Sequence, residues 1–198
     1  MYIAQPQQEP LPYGRWAEAL SEHFLEACRD VDRDGEDLGQ PGEVTWFPDR
    51  TLGGRTYVPA SSISSTGFEL FGFVSFTREH QGAEATGFEA WADFTDETAE
   101  ANPDWTLDLR DHQIGAWRGT DGRTGELTLV WGDALVRGGA VATTELGPTT
   151  TDQCILVDDR FTLISLDAYT GDYLEVRLYG ERGIELAVES LYEDDAAE

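Results

Sequence analysis

Lysine is absent from this chain: all 13 basic residues are arginine, set against 39 acids. A Schiff-base enzyme, a P-loop nucleotidase and a serine–lysine acyl transferase are thereby excluded, because each needs an ammonium side chain. Cysteine is nearly as scarce. Cys28 and Cys154 are too few and too far apart for a disulfide framework, and no CxxC or HExxH spacing marks a zinc site. His23, His80 and His112 fall in separate segments, and no GxSxG elbow is present. Nor does any segment approach the ~20 apolar residues that span a bilayer. The opening residues, MYIAQPQQEPLPYG, hold neither the basic region nor the apolar run of a secretory signal. These absences lead us to expect a cytoplasmic protein with no membrane attachment.

Positive charge is the scarce sign. The formal net charge of -26 is spread along the chain and would repel phosphate backbones and anionic lipid. Direct nucleic-acid binding is therefore not expected. Cations and basic protein surfaces are the partners such a field attracts, and an acidic mimic of nucleic acid would meet the same kind of partner. With 40% hydrophobic and 11% aromatic residues, the 198-residue chain has ample material for a core.

Hydrophobic spacing divides the chain. Residues 1–13 are rich in Gln and Pro and read as a flexible lead-in. Over residues 15–31, Trp16, Leu20, Phe24, Ala27 and Val31 recur at steps of three and four, which predicts an amphipathic helix. His23 stands beside its stripe as a structural group. An acidic loop follows over residues 30–43, and residues 1–54 read as an N-terminal extension. From residue 55 the period becomes 2. Phe88, Ala90 and Phe94 alternate with polar neighbours, as do Leu107 with Leu109, Leu127 with Leu129, and Leu174, Val176 and Leu178. Turn signals such as DDR and GERG separate the runs, the last as a short hairpin. The expectation is a mainly β fold, an antiparallel β-sandwich or barrel of about eight to ten strands over 55–192, preceded by one helix. Residues 193–198 form an acidic tail.

The acidic loop, DVDRDGEDLGQPGE, is the segment most like a chemical device. A helix followed by DxDxDG resembles the first half of an EF-hand, whose alternate residues point oxygens at a hard cation while a glycine makes the turn. The resemblance implies calcium held by the side chains of Asp30, Asp32 and Asp34 and by the carbonyl of Glu36. It stops there. Pro41 stands where the bidentate Glu belongs, Asp37 replaces the apolar eighth residue, and Glu43 comes two residues late. The competing reading is an acidic helix exit closed by an Asp-Gly turn.

Aromatic placement suggests a surface. Trp91 alternates onto the polar face with Glu89 and Asp93, and Tyr173 and Tyr179 share a face with Glu175 and Arg177. Aromatic rings among charges, opposite the core side of a strand, are what a binding face presents. Trp91, Tyr173, Glu175, Arg177 and Tyr179 are accordingly the candidate binding residues of a non-catalytic protein-binding domain. Its partner would be a basic protein, or a second copy meeting the N-terminal helix. A small-ligand or carbohydrate-binding barrel and a carboxylate-based hydrolase are the alternatives. Both cysteines read as inert core groups.

Overall fold

The structure, a computed structural model, describes residues 4–33, 35–80, 82–118, 124–167 and 174–191. Among the described residues there are one helix and twelve strands, arranged in three antiparallel sheets. The fold is mainly β and sandwich-like, and among the described residues no sheet closes into a barrel. The chain divides into two compact units, residues 1–104 and 105–198, so the 55–192 stretch belongs partly to each.

In the first unit, helix α1 (Gly14–Arg29) follows the spacing read from the sequence, with Leu20, Phe24 and Cys28 buried along one stripe. Tyr13 precedes it in extended conformation and Asp30 caps its end. The stripe lies on a five-stranded sheet made of β1 (Thr45–Trp46), β2 (Arg50–Leu52), β3 (Arg55–Ile63), β4 (Glu69–Thr77) and β5 (Thr86–Thr95). Their order is β1-β3-β4-β5, with β2 paired to β3. Leu20 and Phe24 share a core with Val58, Ala60, Leu70, Val74 and Phe76. The stripe is thus satisfied within the chain. His23 packs beside it, its ring stacked on Phe88 at 4.5 Å.

The first residues differ from the expected flexible lead-in. Gln5 and Thr51 exchange backbone hydrogen bonds of 2.7 and 3.5 Å, Ala4 is buried, and the Asp49 carboxylate accepts from the N–H groups of Gln8 and Glu9. Composition suggested a loose segment. Specific backbone partners on β2 and at its entry supply the ordering that apolar burial does not.

The second unit is a sandwich of seven strands: β6 (Leu107–Arg118), β7 (Thr124–Ala134), β8 (Gly139–Leu146), β9 (Thr149–Ile155), β10 (Arg160–Asp167), β11 (Leu174–Gly180) and β12 (Glu185–Ser190). One sheet runs β10-β7-β6 and the other β12-β11-β8-β9. Leu107, Val130, Phe161 and Leu163 from the first meet Ala142, Val176, Leu178 and Ala187 from the second. Two of the sequence turn signals are tight hairpins. Asp158 and Asp159 both take positive φ between β9 and β10, and Gly180 accepts from Gly183 and donates to Ile184 between β11 and β12.

Two inward assignments need correction. Ala90 is exposed, since β5 is an edge strand paired only with β4. On β7, Leu129 and Trp131 are fully buried, but so is Val130, which points the opposite way into the sandwich core. A strand enclosed on both faces reads as a continuous apolar run, so alternation cannot tell its faces apart.

Candidate functional site

Along β11 the buried Leu174, Val176 and Leu178 alternate with Glu175, Arg177 and Tyr179, which therefore point away from the core. Register then assigns their neighbours. Tyr179 lies opposite Val141 on β8 and Glu185 on β12, and Arg177 lies opposite Thr143 and Val188. Glu175 lies opposite Glu145 and Ser190. On the far side of β8, Ile155 pairs with Val141 and Gln153 with Thr143. The outer surface of this sheet is a lattice of four strands with Arg177 near its middle.

Arg177 joins three strands electrostatically. Its Nη1 donates to Glu185 at 2.6 Å, its Nη2 donates to Glu175, and its Nε lies 3.1 Å from a Glu145 oxygen. These contacts, Glu185 first and then Glu175, hold the guanidinium above its ordinary range. The other Glu145 oxygen accepts from Tyr179 at 3.2 Å and from Thr143 at 3.2 Å. Partial burial, followed by that bond to Glu145, raises the Tyr179 hydroxyl above its usual value. The guanidinium orients the carboxylates but does not neutralise three of them.

Around this charged centre the face also carries exposed aliphatic side chains. Ile155, paired with Val141, is 76% exposed, and Val188, opposite Arg177, is 42% exposed. Glu145, Glu185 and Ile155 were not singled out from the sequence, because alternation identifies a strand's faces but not which strands adjoin. Val188 belongs to the alternating apolar series Ile184, Leu186 and Val188, and the register sets it on the outer face opposite Arg177. The GERG signal pointed to a hairpin between β11 and β12, and the register of that hairpin sets Glu185 opposite Tyr179. Tyr173 lies outside the described residues.

Trp91 belongs to the first unit. It sits half-buried on the sheet face opposite α1, stacked on Phe73 with centroids 6.0 Å apart and edge-on to Phe71 at 6.0 Å. Tyr57 extends the layer, 5.7 Å from Phe73. The sequence pointed to Glu89 and Asp93 as its company, and those residues do share its face, but the β4 rings of Phe71 and Phe73 pack against it. Burial raises the Tyr57 hydroxyl above its usual range, opposed by the nearby Arg55 charge and reinforced by that of Glu89.

In the acidic loop, Asp30 is the C-cap of α1 and Asp32 and Glu36 are exposed. The Glu36 N–H donates to the Arg33 carbonyl at 2.7 Å, and Asp37 accepts from the Gly39 N–H. Among the described residues no three His, Cys, Asp or Glu side chains converge as metal ligands. Asp34, on which the calcium expectation turns, lies outside them. Compared with known proteins, the chain matches no family model, no curated protein and no solved structure.

Proposed function

We propose that this is a non-catalytic binding protein, and that the outer face of β12-β11-β8-β9 receives a basic, partly apolar protein segment. The observation that carries the reading is the exposure of Ile155 and Val188 on the same face as the Glu145, Glu175 and Glu185 carboxylates. Exposed aliphatic side chains beside fixed charge supply both halves of recognition: apolar area to remove from water, and carboxylates to choose and orient the partner. Because Arg177 already positions the three glutamates, little side-chain entropy is lost when a cation arrives. The net charge of -26 speeds the encounter with a basic partner.

The test uses two synthetic peptides, one alternating Lys with Val and one alternating Lys with Ser. The parent protein is expected to bind the Lys/Val peptide more tightly, and Ile155→Ser with Val188→Ser to weaken it about tenfold, or ~1.4 kcal/mol. Equal affinity for both peptides, or no effect of the double substitution, would leave only diffuse charge attraction and overturn the reading.

A further inference from the structure

The first unit contains a cleft of about 340 Å³ between the N-terminal segment and the sheet. Gln8 and Glu9 form one wall, while Asp49, Thr51, Thr56 and Arg78 form the others. Its volume is within the range of small-molecule sites. Two charged groups in it are already matched. Arg78 pairs with Glu9 at 3.3 Å and donates to the Ala83 carbonyl at 2.9 Å, and its guanidinium lies 5.0 Å above the Trp16 ring.

Asp49 is matched differently. Its side chain is buried, with 7% of the residue exposed, and its hydrogen-bond donors are the backbone N–H groups of Gln8 and Glu9 at 3.2–3.3 Å. The neighbouring charge that bears on it is another carboxylate, Glu9. Burial, opposed by those N–H bonds and reinforced by Glu9, raises its carboxyl above the ordinary range. A buried carboxylate lining an open cleft, with no cation paired to it among the described residues, is costly in its charged form, and a positive group completing the site would offset that cost. Beside it the Thr51 and Thr56 hydroxyls, 2.8 Å apart, offer acceptors for further N–H donors.

We infer that this cleft binds a small organic cation, an aliphatic ammonium compound whose charge pairs with Asp49 and whose remaining N–H groups reach the threonine hydroxyls. The acidic lining favours it over anions, and an alkyl stem suits the Phe76 wall better than a hydrated metal ion does.

The experiment is calorimetric titration of the intact protein with 1,4-diaminobutane, with 1,4-butanediol as the neutral counterpart of equal length, and with magnesium at matched ionic strength. One saturable site for the diamine is expected, with no binding of the diol and no displacement by magnesium. Asp49→Asn, checked for folding by circular dichroism, should weaken the diamine at least tenfold, whereas Ile155→Ser with Val188→Ser should not change it. Non-saturable heats, equal displacement by magnesium, comparable binding of the diol, or an unaltered folded Asp49→Asn variant would each overturn the inference. The diol and magnesium arms decide the matter on the parent protein even if Asp49→Asn does not fold.

Discussion

Phe24 on α1 meets Trp46 of β1 edge-on, with ring centroids 6.4 Å apart. The helix therefore completes the core of the first unit. Phe24 is fully buried among Val58, Leu70 and Val74, so truncating it removes a large transfer free energy and leaves a void. Phe24→Ala is expected to lower stability by about 3–5 kcal/mol. Urea unfolding followed by tryptophan fluorescence measures this, and an unchanged midpoint would refute the placement.

The helix and the strands were legible in the sequence because each shows a period on one side only. Leu20 and Phe24 recur at helical spacing, and Leu174, Val176 and Leu178 alternate cleanly over a sheet with one wet face. Strand β7 was misread for the opposite reason, since burial on both faces erases the period. Half of the candidate binding face was legible: Glu175, Arg177 and Tyr179 declare themselves by alternation. Ile155 and Glu145 do not, because their place beside Arg177 follows from strand order, a long-range property that no local pattern encodes. Asp49 was equally silent. Its partners are backbone groups some forty residues away, on a segment whose composition suggested no structure.

Asp158 and Asp159 form a two-residue turn in which both φ angles are positive, 52° and 62°. The turn matches the strand twist, and Asp tolerates the left-handed region, but Gly takes it without the Cβ crowding that any other residue meets, above all at the second position. Asp158→Asn with Asp159→Gly should stabilise the turn by up to about 1 kcal/mol, chiefly through the glycine, and also remove two negative charges from an over-charged protein. The expected result is a higher melting temperature, with a gain that persists in high salt. A gain abolished by salt would assign the effect to charge alone.

Gly72 is required by the approach of β4 to β5. A Cβ there would stand 2.0 Å from the Trp91 carbonyl oxygen, a backbone atom that cannot swing aside. Gly72→Ala should destabilise by at least the ~1–3 kcal/mol typical of overpacking and shift Trp91 relative to Phe73. Near-ultraviolet circular dichroism would report the disturbed ring stack. An unchanged aromatic spectrum in a stable variant would contradict the close approach.

Burial pushes the Cys28 thiol up to about 12, so at neutral pH almost none of it is thiolate. Alkylation of the native protein should spare Cys28 and reach it only on unfolding, while the partly exposed Cys154 reacts first. Mass spectrometry of iodoacetamide-treated protein, with and without urea, makes the comparison. Rapid native labelling of Cys28 would show that the helix opens from the sheet.

Asp49 gives stability a pH dependence whose sign follows from its environment. Its folded-state carboxyl is raised above the ordinary 3.8, chiefly by burial, so between the two values the native state holds a proton that the unfolded chain has released. The unfolded chain binds fewer protons in that window, and stability must fall as pH rises through it and remain lower above it. Asp49→Asn removes the titration while leaving the other charges in place. The variant should therefore gain stability relative to the parent as pH rises from below 3.8 to neutrality, whatever constant offset the altered hydrogen bonds to Gln8 and Glu9 introduce. Urea unfolding of both proteins across that range isolates the term, because acid effects common to the highly negative chain cancel in the difference. A difference independent of pH would mean that Asp49 is solvated like any surface carboxylate. A difference that moved the other way would mean that the N–H bonds from Gln8 and Glu9 outweigh its burial, and the cleft would then need no cation to complete it.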